Sequence, residues 1–161
     1  MQKIPLIKQN FHRKIGEKEL RILVVIVRKN ILRRGAEGLL GGVFPKRDYV
    51  CAENFAVIND PRAVVIVENG ADAEIKAALC VIADGDGFCA FPDGIRLVTC
   101  GVNPKNTVSF TSRSESGITL SLNRAIHTEN GVIEPLEYPA KLLRGYSEFD
   151  YMAAFAASLF H

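Results

Sequence analysis

The sequence has no long apolar run. Its purely apolar stretches, Ile22 to Val27 among them, fall far short of the ~20 residues that a bilayer-crossing helix needs. The opening residues 1–14 (MQKIPLIKQNFHRK) contain no apolar core followed by a small-residue cleavage site, so no secretory signal is read there and a cytoplasmic protein is expected. Cysteine is sparse and wrongly spaced for metal. Cys51, Cys80, Cys89 and Cys100 form no Cys-x-x-Cys pair, which excludes zinc ribbons and fingers. The histidines, His12, His127 and His161, stand in no motif that links a base to a cysteine, so the thiols read as structural. No Gly-x-Gly-x-x-Gly follows a strand: Gly38, Gly41 and Gly42 are wrongly spaced, and residues 43–47 open no helix. A dinucleotide enzyme of that type is thereby disfavoured. The loop Asp84-Gly85-Asp86-Gly87 begins like a calcium loop, but Phe88 and Ile95 stand where the cage needs oxygen ligands. No catalytic residue, metal site or cofactor is assigned.

What is present is an ordinary globular composition over 161 residues, 48% apolar and 24% charged. That fits one domain and excludes a disordered chain. The net charge of +2 conceals a polarity. Residues 1–50 hold 12 basic against 4 acidic side chains (+8), and residues 51–161 hold the other 8 against 14 (−6). A basic first third admits a contact with an anionic membrane surface or with nucleic acid. Nucleic acid is the less favoured of the two, because no recognition motif accompanies the charge.

The pattern along the chain has four parts within a single domain, 1–161. Residues 1–48 are the basic N-terminal segment. Within them 17–34 is read as a helix, with Leu20, Val24, Val27 and Ile31 on one stripe, although the β-branched run Ile22–Val27 also suits a buried strand. Residues 49–103 are an α/β part. Here the short apolar runs Phe55–Ile58, Ala63–Val67, Leu79–Ile82 and Leu97–Cys100 each close on Asn, Asp or Gly, and Ala71–Ala78 is rich in helix formers. Runs apolar on both faces imply a sheet covered on both sides. Residues 104–143 alternate polar and apolar and carry the turn signal Asn130-Gly131, the signature of an antiparallel meander. Residues 147–160 form a closing helix, with Ser147 as N-cap and Glu148 and Asp150 in its first turn. The expected fold is α/β and three-layered: a mostly parallel sheet with helices on both faces, a small antiparallel β-meander and a C-terminal helix.

Thr99-Cys100-Gly101, the alternating segment 107–142, Gly145, and the pairs Ala153-Ala154 and Ala156-Ala157 follow one another in an order that resembles the later half of the Mur ligase central domain. In that family a Thr-Tyr-Gly-like triplet ends a strand, a small antiparallel sheet follows, and a glycine opens a His-Asn-containing turn into an alanine-rich helix. The departures are chemical. No Gly-Lys-[Ser/Thr] occurs, and Tyr146, Ser147 and Asp150 occupy the turn where the family carries His and Asn. The resemblance therefore implies a scaffold without the ATP site, a non-catalytic binding or assembly module. Its small-molecule ligand is unspecified. A ligand is expected at the carboxyl ends of the parallel strands, rimmed by Asn59, Asp60, Asn69, Asp84, Asp86 and Asn103. Self-association through a sheet edge or the C-terminal helix is expected as well. One alternative is a small enzyme with a carboxylate/divalent-metal site built from Asp60, Asp84 and Asp86; another is the basic segment acting on an anionic surface.

Overall fold

In a computed structural model of the chain, residues 9–11, 21–85 and 94–160 are described. Thirteen strands occur among them: β1 (Gln9–Phe11), β2 (Leu23–Arg28), β3 (Asp48–Glu53), β4 (Phe55–Asn59), β5 (Ala63–Val67), β6 (Asp72–Ala77), β7 (Cys80–Asp84), β8 (Leu97–Cys100), β9 (Val108–Arg113), β10 (Gly117–Leu122), β11 (Ile126–Thr128), β12 (Gly131–Ile133) and β13 (Leu136–Lys141). A 3-10 turn spans Ala36–Leu39, and the helix α1 spans Glu148–Ser158.

Eight strands make the main sheet in the order β13-β10-β9-β8-β7-β5-β2-β3. The pairings from β3 across to β9 are parallel, and β9, β10 and β13 continue the sheet antiparallel. The expected parallel sheet and meander are therefore one mixed sheet. The Asn130-Gly131 signal falls in a separate two-stranded hairpin, β11 with β12, closed at Thr128↔Gly131.

Helices on both faces are not found among the described residues. One face of the main sheet packs against a second sheet, β1-β4-β6, which is wholly parallel. From β3 to β7 the chain alternates between the two sheets, crossing at Asn54, 60–62, 68–71 and 78–79. The first crossing is a single residue, Asn54, held at φ 65°, a left-handed conformation that asparagine tolerates better than most residues. Residues 71–78, expected as helix, contain β6 instead. Asp72, Glu74 and Lys76 are exposed while Ile75 is buried, and that period of two outweighs the helix-forming composition. Residues 23–28 are likewise a strand and not a helix. The part of that expected helix before Arg21 lies outside the described residues.

The apolar-on-both-faces runs divide between two cores. Val24, Ile26, Val64, Ile66, Cys80 and Ile82 face α1. Val25, Val27, Val65, Val67 and Val81 face the second sheet, against Ala56, Ile58 and Ile75. Each such buried side chain is worth ~1.5–3 kcal/mol. The helix begins as expected: Ser147 Oγ accepts from Asp150 N at 3.2 Å, and Asp150 Oδ2 accepts from Ser147 N at 2.8 Å, a reciprocal capping box. It is buried all round, since the 3-10 turn and Phe44 cover it opposite the sheet. The helix therefore keeps no free apolar face for the expected self-association.

Candidate functional site

In the parallel part of the main sheet the carboxyl ends of β2, β3, β5, β7 and β8 lie along one edge, and α1 begins there, after β13 has run back towards it. Of the expected rim residues, Asn69 and Asp84 meet at this edge, with Asn69 Nδ2 donating to Asp84 Oδ2 at 2.9 Å. Asn103 stands in the neighbouring turn, where its side chain accepts from Lys105 N and its carbonyl from Asn106 Nδ2. The Asn106 side chain fills the space above Gly85 and Gly101. A Cβ on either glycine would come within 1.8 Å or 2.5 Å of the Asn106 amide.

Asn59 and Asp60 are at the other edge, which corrects the expected rim. β4 belongs to the second sheet, so its carboxyl end feeds the amino end of β5. Asp60 braces that turn: its Oδ1 accepts from Arg62 N and its carbonyl from Ala63 N. A strand length, ~13 Å or more, then separates Asp60 from Asp84, and the two do not share a site. Asp86 lies outside the described residues, as do Cys89, His12 and His161. Among the described residues no three His, Cys, Asp or Glu side chains are grouped to hold a metal ion.

The strongest feature of the carboxyl edge was missed from sequence. Arg28, the last residue of β2, is 1% exposed. Its guanidinium donates to the Glu37 carboxylate, to the Arg33 carbonyl and to Cys51 Sγ. Nε lies 3.4 Å from Glu68 Oε2, too poorly aligned to count as a hydrogen bond, so both atoms are buried without one. Gly35 closes the back of the pair, where a Cβ would stand 3.1 Å from both Arg28 Cζ and Glu68 Oε2. Arg33 extends the network to fully buried Asp150, 2.9 Å away. The available signal was an arginine closing an apolar strand: a cation in that position needs acids from elsewhere in the chain, and only the fold brings in Glu37 and Glu68.

This network settles the electrostatics of the edge. Burial opposes the Arg28 charge, but the hydrogen bond to Glu37 and the surrounding negative groups outweigh it and hold the pKa above the usual arginine value. Burial raises the Glu68 pKa, helped by Asp150 and opposed by Arg28. Burial also raises the thiol pKa of Cys51, Cys80 and Cys100, so none of these is a ready nucleophile. The amino end of α1, a natural anion site, already holds the Asp150 carboxylate.

A carboxyl whose pKa is higher folded than unfolded contributes stability at low pH that is lost as pH rises through the folded value. Glu68→Gln is therefore expected to be more stable than the parent at pH 7–8, with the gap closing as pH falls towards ~4. Urea midpoints measured across that range check the sign, and a gap that widens on acidification contradicts it.

A groove of about 410 Å³ opens at the opposite edge, between the 128–134 hairpin and the end of α1, with Ile22, Arg62, Leu79 and Phe160 in its walls. Beside it, Arg47 donates to the carbonyls of Ser158 and Phe160 and so caps the helix. Three bases of the first third thus do internal work: Arg28 and Arg33 pair with buried or nearly buried acids, and Arg47 binds carbonyls at the helix end. Comparison with family models, with curated proteins and with solved structures finds no match for this chain.

Proposed function

We propose that the chain is a non-catalytic binding or assembly module, built like a Mur ligase central domain from which the ATP site has gone. The observation that carries this reading is that the protein's own charges occupy the amino end of α1, where the resemblance would put a nucleotide. Asp150 caps α1 from a fully buried position, and Arg33 and Arg28 are committed to Asp150, Glu37 and Glu68. A triphosphate at that helix end would meet a buried carboxylate where it needs free N–H groups. The order of β8, the antiparallel strands, Gly145 at φ 92° and α1 agrees with the family's order of elements. The divalent-metal alternative loses support from the separation of Asp60 and Asp84. The concave groove at the amino ends of the strands, of a size that suits a small ligand, makes binding the more natural use of the fold. No helix among the described residues is long and apolar enough to cross a membrane. The free thiols Cys51, Cys80 and Cys100 suit the reducing cytoplasm.

The test is thermal shift with ATP and Mg²⁺, separately and together, beside UDP and UDP-linked cell-wall precursors. A ligand at ~100 times its dissociation constant stabilises by ~2.7 kcal/mol, which moves the melting temperature of a domain this size by roughly 5–11 °C. No shift is expected with ATP and Mg²⁺. A saturable shift with them overturns the loss of the nucleotide site, and a shift with a UDP precursor alone identifies the retained ligand.

A further inference from the structure

We propose that the carboxyl edge of the main sheet docks on an anionic lipid surface, with the Ile31-Leu32 tip entering the acyl boundary and Lys29, Arg34, Lys105 and Arg144 meeting the headgroup phosphates. This goes beyond the binding-module reading and does not depend on it.

Leu32 is 93% exposed, the most exposed large apolar side chain among the described residues, and its neighbour Ile31 is 46% exposed. The tip is not a loose end. Leu32 N donates to Asn30 Oδ1 at 3.0 Å and Arg33 N to Asn30 O at 3.3 Å, closing a turn. Arg28 and Asp150 then anchor Arg33 through its carbonyl and its guanidinium. The fold thus holds an aliphatic pair out in solvent on a braced loop, forgoing the ~1.5–3 kcal/mol that burial of each side chain would contribute.

Two more exposed aliphatic side chains belong to the same edge. Val102 lies in the turn after β8, and Leu143 in the segment between β13 and α1. The latter segment is brought against the 3-10 turn, because Tyr146 fills the space over Gly38. The turn after β8 is three strand spacings from β2, ~14 Å. Each apolar tip has a base beside it in sequence: Lys29 and Arg34 around Ile31-Leu32, Lys105 after Val102, and Arg144 after Leu143. All four bases are exposed, and among the described residues none has a carboxylate partner. Of the acids at this edge, Glu37, Glu68 and Asp150 face inward on Arg28 and Arg33, and Glu148 pairs with Arg113. Glu53 and Asp84 are half-buried there, Asp84 accepting from Asn69, and Asp72 and Glu115 are exposed. Aliphatic tips with flanking cations suit the headgroup–acyl boundary. A nucleic-acid strand would call for aromatic platforms, and the exposed apolar residues of these loops are all aliphatic.

The experiment is co-sedimentation of the full chain with vesicles of phosphatidylcholine alone and of phosphatidylcholine mixed with phosphatidylserine, at low and physiological salt. Partition is expected with the anionic vesicles and not with the neutral ones, falling as salt rises. Leu32→Ser is expected to weaken it about tenfold with the melting temperature unchanged, because the side chain makes no core contact. Arg34→Gln with Lys105→Gln is expected to reduce both the partition and its salt dependence. Absence of binding to anionic vesicles at low salt overturns the proposal. So does binding that Leu32→Ser leaves intact, or a stronger salt-dependent affinity for an RNA oligomer than for the vesicles.

Discussion

Arg28→Met is expected to cost about 3–5 kcal/mol of stability, because it removes the cation held between two nearly buried carboxylates. Glu37 and Glu68 side chains are each 14% exposed, and Arg28 is 1% exposed. Truncating the arginine leaves both acids desolvated and repelling one another, and it frees the Arg33 carbonyl and the Cys51 thiol that the guanidinium bonded. The loss should be greatest near neutral pH and shrink on acidification as the stranded carboxylates take up protons. The triple variant Arg28→Met/Glu37→Gln/Glu68→Gln separates the causes. If unpaired charge is the penalty, it recovers most of the stability; if the arginine acts mainly by filling space, the triple variant remains as weak as the single one. Urea unfolding of the three proteins at two pH values decides between them.

Phe155→Ala is expected to cost a similar ~3–5 kcal/mol through a cavity. Phe155 is 1% exposed and lies in the middle of α1. Its ring centroid is 6.2 Å from Phe44 and 5.8 Å from Tyr138, which are themselves 5.5 Å apart. The trio ties three distant parts of the chain together: the cover over the helix, the helix itself and the last strand of the main sheet. Tyr138 Oη also reaches the Val43 carbonyl at 3.4 Å, so the rings cannot collapse freely into the space left behind. At roughly 2–4 °C per kcal/mol for a domain of this length, the loss is plain in a melting curve. Val102→Ala, at a 65% exposed site, should stay within about 0.5 kcal/mol. If Phe155→Ala costs as little, the trio does not hold the helix against the sheet.

The two variants mark different limits of sequence reading. In the sequence Phe155 belongs to a spaced apolar series, Phe149, Met152, Phe155 and Leu159, in an alanine-rich helix. Its full burial on every side is not legible there, because the cover comes from residues 36–44, more than a hundred positions away. Arg28 stands in the sequence as a base at the end of an apolar run, which calls for acids without naming them. The acids that hold it are at positions 37 and 68, and nothing local marks them as its partners.

Asn59, Asp60, Asn69 and Asp84 show the same divide. All four close apolar runs, so all were placed at one edge. Whether a run's end faces that edge or the opposite one depends on the sheet to which its strand belongs, and the assignment of β4 to the second sheet is made by pairing with β1 and β6. Asp72–Ala77 carries both an alternation and a helix-forming composition, and pairing with β4 decides for the strand.

By itself, then, the sequence determined that Ala63–Val67 and the run ending at Ile82 are buried on both faces, though not Leu97–Cys100, where α1 begins and how it is capped, where the antiparallel strands lie, and that a Gly-Lys-[Ser/Thr] phosphate loop is absent. These follow from local forces: side-chain periodicity, capping hydrogen bonds and turn chemistry act within a few residues. The tertiary structure alone decided that a second sheet covers the far side of the main one, that Asp60 and Asp84 stand a strand apart, and that Arg28 is sealed in a cage of acids. Strand pairing and charge pairing join residues that are distant in the chain, and their free energy depends on a geometry that exists only once the chain has folded.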